Sequence, residues 1–264
     1  MSTRDGYPAG VPCWVETLQP EPRAALDFYG PLFGWEFSEP GPMPGGLPGE
    51  YYVALLDGRE VAGVGSLPDT GGPPTAVWNT RVRVESAGAA VERARGVGGN
   101  VVLGPLGGSA VLVDPAGAAF SVWEAGERAG AQVINEPAAW AMSALHTPDP
   151  DAAAAFYDAM FGWRSEPMAP GVPITLFRLP GYVGGEPEQP VPRDVVAVMT
   201  PTEGGPVPPH WNVNLWVADA DAVAAHAADL GGTVLMPPMD TPGFRSAVLS
   251  DPQGAAKHPQ PLAD

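Results

Sequence analysis

The 264-residue sequence predicts an α+β protein in which one domain occurs twice in tandem, each copy built from two related modules. Three internal similarities predict it. AALDFYGPLFGWEF (residues 24–37) returns as AAAFYDAMFGWRS (153–165), a period of about 129 residues, too long for a solenoid repeat and right for a duplicated domain. AVWNTRVRVESAGAAVERARGVGGNVV (76–102) matches PHWNVNLWVADADAVAAHAADLGGTVL (209–235), so each half is itself two modules. The last hairpins also correspond, VLVDPAGAAFSVW (111–123) with AVLSDPQGAAKHP (247–259).

The elements follow in order. VPCWVETL (11–18) and WAMSALHT (140–147) read as apolar opening strands. A helix follows each, opened by Glu21-Pro22 and by Asp149-Pro150. An acidic N-cap accepts free backbone N–H groups, and proline at the first helical position gives up only a donor already unused. Gly34 and Gly162 end the helices, and Trp35 and Trp163 start the next strands. The Pro/Gly-rich stretches 39–49 and 181–192 fill equivalent loops, since neither suits a helix or a central strand. Inner-hairpin strands VAGVGSL (61–67) and VVAVMT (195–200) come next, then a strand, short helix, glycine pair and strand in each half. Asp-Pro-x-Gly turns the final hairpins. Residues 10–126 and 139–262 are the expected domains, with 127–138 as linker.

A formal charge of −17 argues against nucleic acid or an anionic membrane as partner, because binding either begins with cationic neutralisation of phosphate. The lone Cys13 forbids an internal disulfide or a cysteine metal cluster. The start MSTRDGYPAG lacks a signal-peptide pattern, so a cytoplasmic location is expected. No apolar run approaches the roughly 20 residues that span a bilayer. The glycine turns GVGGN and GPLGGS carry no P-loop lysine or dinucleotide fingerprint, and no G-x-S-x-G elbow or HExxH occurs.

Several marks resemble the glyoxalase, bleomycin-resistance and extradiol-dioxygenase (vicinal oxygen chelate) superfamily, particularly its tandem actinobacterial members. They are W(V/M)-x-(T/A)-L before a helix, FY with (L/M)FGW, the WN strand with its glycine turn, and DPxGA. The resemblance spans about residues 11–258. It implies paired βαβββ modules curled into a cupped sheet, with metal ligands on the first and last strand of each module. Carried over, those positions fall at Trp14, Asn79 and Ser121 in the first half and Met142, Asn212 and His258 in the second. Trp, Asn and Ser are poor ligands beside His and carboxylate, and the one histidine, His258, does not make a site, so no metal or other cofactor is expected.

Residues two apart on a strand share a face. Trp14, Glu16 and Leu18 therefore point together, as do Asn79, Arg81 and Arg83; Met142, Ala144 and His146; and His210, Asn212, Asn214 and Trp216. In the register that the resemblance implies, these faces, with Ser121 and Trp123, line the cups. Tryptophan and methionine walls with a few amides suit a flat, partly polar organic ligand. Equally, Trp14, Trp123 and Met142 are ordinary core residues. Glu16 is the candidate general base, the alternative being a carboxylate paired with Arg81 or Arg83. His146 and His210 suit proton transfer, or are hydrogen-bonded strand histidines. Asn79 and Asn212 hold equivalent places, facing a ligand or bonding at the module seam.

Two functions follow. One is noncatalytic binding of a hydrophobic, planar natural product for sequestration, resistance or carriage. The alternative is a metal-independent enzyme of secondary metabolism, an isomerase, cyclase or hydroxylase on a polyketide-like substrate, with Glu16 or His146 moving a proton. A metal enzyme with unexpected ligands is a third. Tandem duplication favours a monomer, with a homodimer as the other option.

Overall fold

A computed structural model describes residues 4–69, 74–124, 126, 128–184, 193–205, 207–241 and 244–255. The first half runs β1 (Pro12–Gln19), α1 (Pro22–Phe33), β2 (Glu36–Phe37), β3 (Gly41–Pro42), β4 (Glu50–Leu56), β5 (Arg59–Ser66), β6 (Val77–Val84), α2 (Ala87–Gly96), β7 (Asn100–Leu106), β8 (Ser109–Val113) and β9 (Ala119–Glu124). The second runs β10 (Trp140–Thr147), α3 (Pro150–Phe161), β11 (Arg164–Pro167), β12 (Thr175–Arg178), β13 (Val195–Pro201), β14 (His210–Leu215), α4 (Ala220–Asp229), β15 (Thr233–Thr241) and β16 (Phe244–Ser250). The tandem α+β repeat is present.

The first-half strands form one nine-stranded sheet ordered β2-β4-β5-β1-β6-β9-β8-β7, with β3 against β4. Its seam is the antiparallel pair β1–β6, which sets Glu16 opposite Asn79 and Trp14 opposite Arg81. The second half repeats the seam as β10–β14 within β11-β12-β13-β10-β14, while β15 and β16 pair with each other. The counterpart of β9 falls in 256–264, which with His258 lies outside the described residues.

Each FY helix buries residues at i, i+3, i+4 and i+7, the spacing of one helical face: Ala25, Phe28, Tyr29 and Leu32 in α1, and Ala153, Phe156, Tyr157 and Met160 in α3. Gly34 and Gly162 end them at φ +69° and +76°, a left-handed turn that glycine takes without a Cβ penalty. Asp149 caps its helix by accepting from the Ala152 N–H at 3.0 Å. Glu21, expected to do likewise, does not. Glutamate is not among the short polar side chains favoured as N-caps. Its backbone N–H and C=O are instead held at 2.8 Å by the Gln253 amide of the other half.

That exchange is general. Helix α1 packs on α4 and α2 on α3, and both aromatic cores mix the halves. One joins Val82, Val91 and Phe120 to Phe156, Tyr157, Trp163 and Trp211, and the other joins Phe28, Tyr29 and Trp35 to Trp140, Val213 and Ala227. The segment between the halves is correspondingly packed in: Ala131 and Val133 are fully buried, and the Ala131 N–H donates to the Cys13 carbonyl at 2.8 Å. Among the described residues no helix is long and apolar enough to cross a membrane.

Candidate functional site

One face of the first-half sheet holds an open cleft, about 460 Å³ with the solvent at its mouth included. Its floor is Glu16 and Leu18 from β1, Asn79 and Arg81 from β6, and Ser121 from β9. Its walls are apolar: Met43, Pro44 and Leu47 on one side, Leu103, Leu106 and Val111 on the other. The two rims meet glycine to glycine. A Cβ added to Gly107 would lie 2.7 Å from the Gly45 Cα, and both residues hold positive φ, so larger side chains would separate the rims.

The floor is one hydrogen-bonded network around a buried charge pair. Glu16 is fully buried. Its Oε1 accepts from Arg81 Nε at 2.8 Å and Asn79 Nδ2 at 2.9 Å, and its Oε2 from Arg81 Nη2 at 2.9 Å and the Tyr51 hydroxyl at 2.8 Å. Bidentate pairing of this kind offsets the desolvation of both charges. Asn79 Nδ2 also reaches Ser121 Oγ at 2.8 Å, and Arg81 Nη1 reaches Ser109 Oγ at 3.0 Å. Burial, and then the Glu16 carboxylate, hold the Tyr51 phenol well above its ordinary pKa, so it keeps its proton as a donor. Four donors meet the two Glu16 oxygens, and the contact with Arg81 is the ion pair that was the alternative to a general base.

The candidate residues thus divide. Glu16, Asn79, Arg81 and Ser121 come together. Trp14 does not line the cleft: it is 1% exposed and lies behind Tyr51, donating to the phenol oxygen at 2.8 Å. Trp123 stands beside Arg81, whose guanidinium carbon is 5.9 Å from the ring centre. Tyr51, Ser109 and the Met43–Leu47 loop were not among the expected site residues. A signal for Tyr51 existed, because Gly63 and Gly65 on one face of β5 leave room that a neighbouring side chain fills. A Cβ at Gly63 would sit 2.0 Å from the Tyr51 hydroxyl.

The second half is built differently. Ala144 and Asn212 pair across its seam where Glu16 and Asn79 do in the first, and Met142 faces Asn214 where Trp14 faces Arg81, so the charge pair has no counterpart. His146 and His210 face each other with rings stacked 4.9 Å apart, and His146 Nε2 lies 2.9 Å from Asn212 Nδ2. Asn212 is buried, Asn214 half-buried and Trp216 36% exposed. Met142 borders a separate hollow beside Trp140.

In the first half, the donor set at the carried-over positions does not suit a divalent ion. Asn79 and Ser121 lie on the cleft floor with the Arg81 guanidinium, which repels cations, Trp14 is set back behind Tyr51, and among the described residues no three His, Cys, Asp or Glu side chains converge on a metal-sized site.

Comparison with known proteins agrees with this architecture. A family model described as a glyoxalase-like domain matches residues 15–123 and again 142–257. The chain is 38% identical over 267 residues to "Putative glyoxylase CFP32" of Mycobacterium tuberculosis, covering 97% of this chain and 96% of that protein. It is 34% identical over 271 residues to the anthracycline biosynthesis protein DnrV of Streptomyces peucetius, covering 94% and 92%. Among solved structures, the Mn(II)-bound glyoxalase of Novosphingobium aromaticivorans superposes with a TM-score of 0.59 at 15% identity, over 97% of this chain and 81% of that one. The 2,3-dioxygenase LapB of Pseudomonas sp. KL28 gives 0.58 at 11% identity, over 97% and 96%. Both share the fold. Duplicated strand–helix modules, a cupped sheet and two family matches along one chain lead to a single conclusion: this protein belongs to the glyoxalase-like family, within the vicinal oxygen chelate superfamily.

Proposed function

We propose that the first-half cleft binds a flat, largely apolar natural product bearing carbonyl or hydroxyl groups, and holds it without a metal. The observation that carries this is the Glu16–Arg81 pair. It fills the floor with a self-satisfied polar network and leaves no free base. Ser109 and Ser121 each accept one hydrogen bond from that network and keep a hydroxyl hydrogen to offer. The apolar walls supply the surface for fused rings. Similarity to proteins named for anthracycline biosynthesis supports a ligand of the fused aromatic polyketide class and a place in secondary metabolism, inside the cell. Sequestration and carriage are the roles such a site serves best.

A second reading rests on the stacked His146–His210 pair beside Asn212, which has the chemistry to move a proton on a similar substrate. One experiment separates the two. Aromatic polyketides are incubated with excess protein, released by denaturation and analysed by chromatography with mass detection. Compounds retained and returned unchanged support binding, with retention reduced by Asn79→Ala or Ser121→Ala. A new mass or retention time overturns it in favour of catalysis, and full turnover by a Glu16→Gln, His146→Ala double variant would then exclude those two groups.

A further inference from the structure

We propose that the hollow where the N-terminal arm meets the connector between the halves is a second binding site, separate from the cleft, for a small hydroxycarboxylate. The hollow, about 420 Å³ with the open solvent at its mouth included, is bordered by Arg4 and Arg193, and none of the described residues that line it is a carboxylate. In a chain of net charge −17 that is a local reversal of sign. Neither arginine meets a carboxylate among the described residues. Arg4 donates to the Tyr182 hydroxyl at 2.7 Å and lies 5.3 Å above the Tyr7 ring, and Arg193 donates to the Gly184 carbonyl at 3.3 Å. Both keep N–H groups to give.

The second, independent observation is a pair of orphaned polar atoms on the same lining. Trp140 is 95% buried, yet its indole N–H has no partner among the described residues. Five other tryptophans, 14, 35, 78, 163 and 211, donate to a phenol or a backbone carbonyl. The Asn135 amide oxygen is likewise buried and unpartnered. A buried polar atom without a partner costs about 1–3 kcal/mol, so two at one hollow point to a group that satisfies them. The inventory defines that group. Two guanidinium groups and an indole N–H call for a carboxylate, and an amide oxygen calls for a hydroxyl donor on the same molecule. Val11, Met142 and Val196 cover its carbon skeleton.

The test is nitrogen-correlated NMR of the indole N–H groups of the full-length protein, titrated with 3-hydroxybenzoate, benzoate and inorganic phosphate. Trp140→Phe assigns the Trp140 resonance. The expected result is a saturable shift of that resonance with 3-hydroxybenzoate, at least severalfold weaker with benzoate. In Arg193→Gln the affinity falls about tenfold, the usual worth of one charge-assisted hydrogen bond. Arg193 is exposed, so this variant keeps the fold, as an unchanged melting temperature shows. Absence of a saturable shift, a shift confined to other tryptophans, equal binding of benzoate or phosphate, or no effect of Arg193→Gln each overturns the proposal.

Discussion

The Tyr29 hydroxyl on the first helix donates to Asp251 Oδ2 at 2.9 Å, across 222 residues of chain, and the Tyr157 hydroxyl does the same to Asp114 Oδ2 at 3.2 Å. Each half's FY helix is thereby tied to the other half's Asp-Pro-x-Gly turn. Each phenol oxygen also accepts an indole N–H, from Trp78 at 3.0 Å and from Trp211 at 2.9 Å. Tyr29→Phe or Tyr157→Phe removes the donor and leaves that indole and a buried carboxylate short of partners. A loss of about 1–3 kcal/mol is expected for each, read as a lower urea midpoint with unchanged slope.

Because both cores draw residues from both halves, each half is expected to be less stable alone than in the full chain. Expressed alone, residues 1–126 keep the packing of α1 on β1 and β5 but lose its contacts with α4 and with Asp251, which leaves part of the Phe28 and Tyr29 face open to water. Such a fragment is expected to aggregate or self-associate, which size-exclusion chromatography checks against the full chain.

Breaking the Glu16–Arg81 pair is expected to cost more than replacing it. Glu16→Gln strands a buried guanidinium, a loss of about 3–5 kcal/mol by the usual cost of an orphaned buried charge. The double variant Glu16→Met, Arg81→Met removes both charges and recovers much of that stability. It loses the polar floor, so ligand retention falls even where the melting temperature returns.

Gly63→Ala places a Cβ where the Tyr51 hydroxyl sits. Tyr51 must move off Glu16, and the floor of the cleft moves with it. Destabilisation of about 1–3 kcal/mol, as for overpacking, is expected together with weaker ligand binding; the Tyr51 ring carbon Cζ also lies 2.5 Å from that Cβ, so it is Gly63→Ala combined with the shorter Tyr51→Val that recovers part of the stability.

Asp114 supplies a pH dependence. Burial raises its pKa above the ordinary 3.8, against hydrogen bonds from the backbone N–H groups of Ala116, Gly117 and Ala118 and from Tyr157. A carboxyl with a raised folded-state pKa binds its proton more tightly folded than unfolded, so its contribution to stability falls as pH rises through the window from 3.8 upward. Asp114→Asn should flatten that part of the stability–pH curve, measured by urea unfolding between pH 4 and 7.

The sequence by itself determined the repeat, the modules, the helix limits and the family. Those rest on local chemistry, such as proline at a first helical turn, left-handed glycine at Gly34 and Gly162, and apolar periodicity, and on a duplication visible without any fold. Strand alternation likewise placed Glu16, Asn79 and Arg81 on one face. The tertiary structure alone decided what those residues touch. Whether Glu16 is a base or an ion-pair partner depends on Tyr51 and Arg81, which reach it from strands 35 and 65 residues away. Trp14 belongs to the wall behind the cleft because two glycines on β5 admit Tyr51 in front of it. The mixing of the two cores, and the hollow at Trp140 and Asn135, arise where the arm, the connector and the second sheet meet. Periodicity reports which face a residue takes, but the identity of what packs against that face is a long-range property that no local pattern carries.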